Sequence, residues 1–195
     1  MIRGVDRRVA WLAGIAVAMV TCSVVAFPLA KKVTDMNPRA VEQEEFSVLG
    51  IAVRTSNAEQ MTAARPIGKQ WERFFKEDVL AAIPNKADAK IVAVSSEYTS
   101  DKDGEYTYLL GARVRKVESV PLGMTVKNVP AGRYAVFTSE RGAVQKVVVQ
   151  MWQRVWATPK SALGGDRAYK ADYELYDQRA QNPADSIVDL YVSVR

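Results

Sequence analysis

The sequence predicts an α+β fold: a tandem pair of strand-helix-strand-strand units forming one antiparallel sheet with two helices and a central ligand cleft, preceded by one N-terminal transmembrane or signal helix. Three observations predict it. Ala52-Val53-Arg54-Thr55-Ser56 recurs as Ala135-Val136-Phe137-Thr138-Ser139, each closing an apolar run of strand character. Each copy leads into an amphipathic stretch that carries Trp, and each stretch is followed by two strand-like runs separated by turn residues. One unit alone is too thin to bury both its helix and its sheet, so two units pack together and leave a cleft at their seam.

The chain opens with Val9 to Ala30, an uncharged apolar run flanked by Arg7-Arg8 and Lys31-Lys32. At about 1.5 Å per helical residue it reaches roughly 33 Å, enough to cross a hydrocarbon core of about 30 Å. Residues 1–30 are therefore read as a signal anchor that meets the membrane through residues 9–30. A cleaved signal peptide is the rival, with Arg3, Arg7 and Arg8 as its basic region and Val24-Val25-Ala26 before a cut at Phe27. The run exceeds a usual signal-peptide core, and Pro28 stands against processing there. Cys22, the only cysteine, reads as a small membrane hydrophobe. The flanks carry equal numbers of basic residues, so charge does not settle the orientation. The expected location is the inner membrane of a bacterium with the domain on the extracytoplasmic side, or the periplasm after cleavage.

Residues 31–45 are polar, contain Asn37-Pro38 and show neither structural period, and so read as a tether. The domain spans 46–195, with halves of about 46–117 and 124–195. In the first half a helix starts at Pro66, which suits a first helical turn, and runs through Ile67, Trp71, Phe74, Phe75, Leu80 and Ile83 until Pro84-Asn85. Lys90 to Tyr98 and Glu105 to Lys116 form a hairpin. Met124 to Val129 and Arg133 to Ser139 read as another, turned by Pro130-Ala131-Gly132. The second helix places Val144, Val147, Val148, Met151, Trp152 and Val155 on one stripe and ends before Pro159. Ala168 to Tyr176 and Ser186 to Arg195 close the second unit.

Composition excludes several kinds of chemistry. His is absent, which removes the usual general base near neutral pH and the commonest transition-metal ligand. The folded part has no Cys for a disulfide or thiolate site, and no metal or other cofactor is expected. Beyond residue 30 the basic and acidic residues nearly balance, which is no nucleic-acid signature.

Lys170-Ala171-Asp172-Tyr173-Glu174-Leu175-Tyr176 alternates, with Asp172, Glu174 and Tyr176 on one face and Ala171, Tyr173 and Leu175 on the other. An ionised Glu inside an apolar wall costs several kcal/mol unless a positive group meets it, and that group can be a ligand. A surface Glu paired with Lys or Arg is the commoner arrangement. Trp71 and Trp152 fall on helical stripes and read as core. Trp156 lies off its stripe, where core and ligand-wall roles are both open.

Six segments in this order resemble one family: Ser47 to Thr55, Trp71-Glu72-Arg73-Phe74, Tyr106 to Ala112, Val129 to Phe137, Asp172 to Tyr176 and Val188 to Val192. Together they resemble the GyrI-like, or AraC-type, effector-binding family over Phe46 to Arg195. The resemblance implies two strand-helix-strand-strand units around a pocket for small, often cationic and aromatic molecules. It makes Glu174 the ligand-facing acid, with Tyr176 beside it and Tyr108 and Tyr98 as walls; Trp156, off its helical stripe, is a further candidate contact on its position alone. It also implies a rival hydrolase reading, in which Glu174 and Tyr108 activate water against a small electrophile. A protein-protein module using a sheet edge is a third reading. Many regulators of the family carry a helix-turn-helix. The apolar span here leads instead to the expectation of a membrane-tethered or exported sensor, scavenger or carrier with no nucleic-acid partner.

Overall fold

The computed structural model describes residues 37–195; the apolar run Val9 to Ala30 lies outside the described residues. Among the described residues no helix is long and apolar enough to cross a membrane. Eight strands form one antiparallel sheet: β1 (Arg39–Gln43), β2 (Phe46–Ser56), β3 (Ile91–Ser96), β4 (Glu105–Val114), β5 (Thr125–Val129), β6 (Gly132–Thr138), β7 (Ala171–Tyr176) and β8 (Asp189–Ser193). Among the described residues five α-helices accompany them: α1 (Asn57–Gln60), α2 (Pro66–Lys76), α3 (Val79–Ala82), α4 (Val144–Ala157) and α5 (Lys160–Leu163), with a short 3-10 turn at Gln178–Ala180. The sheet order is β1-β6-β8-β7-β3-β4-β2-β5.

That order contains the predicted duplication. Each half runs strand, helix, strand, strand, and the strands lie as β2-β4-β3 in one half and β6-β8-β7 in the other. The halves meet where β3 pairs with β7, Ala93 opposite Glu174 and Ser95 opposite Asp172. The strand carrying the acidic alternation is therefore at the seam.

Three features depart from the sequence reading. The segment read as tether contributes β1, which pairs with β6, so the sheet includes residues placed outside the predicted domain. The expected hairpin of β5 and β6 does not form. β5 pairs with β2 and β6 with β1, and Val41 opposite Tyr134 and Phe46 opposite Val129 belong to a single register. The two chain segments thus run alongside one another across both breaks. Pro130-Ala131 carries the chain from one end of the sheet to the other, where a local turn would have doubled it back.

The third departure is a break in the first long helix. Glu77 and Asp78 interrupt it, Asp78 with φ 47°, before α3 restarts. At about 100° per residue, Ile83 would lie roughly opposite Phe74 on an unbroken helix. The break rephases the chain, so Phe74, Val79 and Ile83 are all buried against the sheet.

The sheet has two apolar faces. On the helix side, Phe74, Val79 and Ile83 and the α4 residues Val144, Met151 and Val155 join Leu49, Ile51, Leu110 and Leu190. On the other side, Phe46, Val48, Val92, Val94, Leu109, Val129, Tyr134 and Tyr173 form a second core. Tyr173 stacks on Tyr191 at 4.3 Å and meets Phe46 edge-on at 5.3 Å. β2 and β7 are three strands apart, about 14 Å in a flat sheet, so the Phe46 contact requires the sheet to curl around this face. At Gly50 opposite Gly111 the strands approach so closely that a Cβ on Gly50 would lie 2.1 Å from the Leu110 carbonyl oxygen. Among the described residues both cores are built from side chains between Val41 and Val194, and residues 31–195 are expected to fold without the apolar run.

Candidate functional site

Strand alternation dictates the site. In β7 it sends Tyr173 into the second core and turns Asp172, Glu174 and Tyr176 toward the helices. Glu174 is 5% exposed. Its two oxygens accept separate hydrogen bonds, Oε1 from the Trp152 indole N–H at 2.7 Å and Oε2 from the Tyr176 hydroxyl at 2.5 Å. Among the described residues no Lys or Arg pairs with it. Burial raises the Glu174 carboxyl above its ordinary range, and the Tyr176 and Trp152 bonds only partly oppose that shift.

Aromatic rings complete the surroundings. The Trp71 indole N–H donates to the Tyr108 hydroxyl at 3.0 Å, and its ring meets Tyr176 edge-on at 5.0 Å. Tyr108 and Tyr176 are both buried, and burial together with the Glu174 charge pushes both phenols well above their usual values. Tyr106 is raised by the same two causes. The result is a carboxylate within an aromatic enclosure, solvated by neutral donors alone. Outside it a cleft of about 420 Å³ is lined by Trp71, Phe75, Leu80, Lys90, Ile91 and Tyr176 among others. Trp71 and Tyr176 thus separate this cleft from the buried acid.

The structure brings together Glu174, Tyr176 and Tyr108. It places the Tyr108 hydroxyl on Trp71, whereas Glu174 takes its hydrogen bonds from Trp152 and Tyr176. Tyr98 stands with the neighbouring acid: its hydroxyl donates to Asp172 at 2.9 Å, and its ring lies 5.4 Å from Tyr106. Trp156 is 43% exposed, one turn beyond Trp152 on α4, with its ring 6.3 Å from that indole. On helical spacing alone Trp71 and Trp152 belong to the core. They do pack against it, yet their N–H groups also serve the site. A polar atom on an apolar stripe is the available signal, since a buried indole N–H normally finds an acceptor. Arg167, in the loop before β7, carries no periodic signal, and sequence reasoning misses it.

Asp172 has a different role. It is fully buried and accepts from Tyr98, from Arg167 Nη2, and from both the backbone N–H and the hydroxyl of Ser193. Among the described residues no His, Cys, Asp or Glu cluster gathers that could hold a metal ion.

Residues 39–194 match the family described as Cass2, integron-associated effector binding protein. This chain belongs to that family. The match begins at β1, the strand outside the predicted domain. The Bacillus subtilis protein YobU, which bears the name of a transcriptional regulator, is 33% identical over 147 residues, 75% of this chain and 90% of YobU. An integron cassette protein from the mobile metagenome of Vibrio cholerae is similar at 27% identity and a TM-score of 0.64, over 82% of this chain and 96% of that one. SAV2435, solved bound to tetraphenylphosphonium, has the same fold, with a TM-score of 0.66 at 20% identity over 82% of this chain and 94% of that one. The Cass2 domain here is a small-molecule effector-binding domain of the GyrI-like type.

Proposed function

We propose that this chain binds lipophilic aromatic cations, with Glu174 meeting the positive charge, as a membrane-tethered or exported sensor, scavenger or carrier. One observation carries the ligand class: a buried carboxylate solvated by an indole and a phenol and opposed by no cation among the described residues. A delocalised cation would supply the missing charge and gain from the ring faces, at about 0.5 to 2 kcal/mol per contact. The bound tetraphenylphosphonium of SAV2435 belongs to this class and supports the reading. Isothermal titration of residues 31–195 with tetraphenylphosphonium is expected to give saturable binding of one cation per chain; no heat of binding up to the solubility limit overturns the proposal.

The tether rests on Val9 to Ala30 and on the short link that follows. With β1 starting at Arg39, residues 31–38 span at most about 28 Å, which holds the domain beside the bilayer where lipophilic cations accumulate. Protease added to intact spheroplasts is expected to digest the domain of the full chain. Digestion only after lysis would exclude the extracytoplasmic side.

A further inference from the structure

On the acid two residues before Glu174 in β7 stands a second buried group whose bonding is incomplete. Arg167 has a side chain only 8% exposed. Its Nη2 donates to Asp172 Oδ2, while Nε and Nη1 are buried without a hydrogen-bond partner. A guanidinium carries five N–H donors in one plane, and buried donors are normally satisfied. Its faces are covered: Cζ lies 4.2 Å from the Tyr169 ring centroid and 5.9 Å from that of Trp152. Ring faces stabilise the charge, but they leave these in-plane donors without a lone pair.

Trp152 links the two incomplete groups. Its N–H occupies Glu174 Oε1, and its ring covers the Arg167 guanidinium. A cation that takes the indole's place at Glu174 therefore also uncovers the Arg167 side of the same space. The charge of Arg167 is already matched by Asp172. What its free N–H groups lack is an uncharged acceptor.

We propose that Arg167 is a specificity-determining residue, and that the preferred ligands are aromatic cations bearing a neutral acceptor, such as an ester or ketone carbonyl, that bonds Arg167 Nε or Nη1 while the cation meets Glu174. This rests on the cation reading and narrows it. A cation without such an acceptor leaves the two donors unpaired, whereas a matched ligand satisfies both ends of the site. Discrimination is strong where a site's buried polar group would otherwise stay unpaired.

Two dyes separate the effects: tetramethylrosamine and tetramethylrhodamine methyl ester share one xanthylium cation and differ in the ester. Fluorescence anisotropy with residues 31–195 is expected to show the ester binding at least tenfold tighter. In Arg167→Lys, which keeps a cation for Asp172 but lacks the planar donors, the preference is expected to vanish because the ester loses at least tenfold more affinity than rosamine. A ratio near one in the unmodified protein, or a tenfold ratio surviving in Arg167→Lys, overturns the inference. Binding of neither dye overturns the cation reading itself; rosamine binding that requires Glu174, without ester preference, overturns the Arg167 role alone. Should Arg167→Lys not fold, the Arg167 Nε–H resonance of the ¹⁵N-arginine-labelled protein decides. That resonance or an Arg167 Nη–H resonance is expected to move downfield with the ester and not with rosamine, and an equal response of all of them to both dyes counts against the proposal.

Discussion

Replacing Glu174 with Gln is expected to weaken tetraphenylphosphonium binding by about 30- to 150-fold while leaving the fold at least as stable at pH 8. The affinity loss corresponds to about 2–3 kcal/mol, the scale at which removing one partner of a desolvated charge pair is felt. Gln keeps the shape and an acceptor for the Trp152 N–H, and the Tyr176 hydroxyl can turn to accept from the new amide. The stability gain follows from the sign of the pKa shift. Burial raises the Glu174 carboxyl above its ordinary value of 4.5, so between 4.5 and the higher folded pKa the native state holds more proton than the unfolded chain. Stability contributed by this group is then lost as pH rises through that window and stays low above it. The Glu174→Gln substitution abolishes that loss, so the variant's advantage is expected to grow from pH 4 to pH 8 in urea titrations. A variant less stable than the parent by more than about 1 kcal/mol at pH 8, or one that binds the cation equally well, would contradict the role assigned to Glu174. Binding below the raised pKa should also release a proton, visible as a calorimetric heat that varies with the buffer.

The duplication and the two faces of β7 were legible because they depend on local periodicity. Asp172, Glu174 and Tyr176 share a face whatever the sheet around them does, and the α4 stripe of Val144, Val147, Met151 and Val155 is buried as spaced. Long-range pairing was not legible. Pro130-Ala131-Gly132 looks like a hairpin turn, but β5 pairs with β2 and β6 with β1, 75 to 97 residues earlier in the chain. The polar Arg39–Gln43 strand was hidden for a related reason: among the described residues it pairs on one side only and its side chains are mostly exposed, so its sequence carries no clear apolar alternation. Within the site, helical period marks Trp71 and Trp152 as core without revealing where their N–H groups point. Arg167 was beyond reach altogether, since its position comes from a loop after Gly164 and Gly165, both at positive φ, and not from any repeating element.

Asp172→Asn is expected to cost about 3–5 kcal/mol of unfolding free energy, the opposite outcome to Glu174→Gln two residues along the same face. Asp172 accepts four hydrogen bonds, and they draw in three separate parts of the fold: Tyr98 after β3, Arg167 before β7, and Ser193 at the end of β8. Asn can still accept from Ser193 through its carbonyl oxygen. The Tyr98 hydroxyl can turn to accept from the new amide, but that amide also faces the Arg167 guanidinium, a donor set against a donor, and a buried cation is left without its counter-charge. Glu174 has no such cation to strand, which is why neutralising it is tolerated. The double variant Arg167→Met with Asp172→Asn removes that stranded charge, so it is expected to lose at least about 1 kcal/mol less than the sum of the two single losses. Chemical denaturation of the four proteins closes the cycle. Additive losses, or an Asp172→Asn protein within about 1 kcal/mol of the parent, would show that Asp172 does not hold Arg167 and Tyr98 against the strand that carries Glu174.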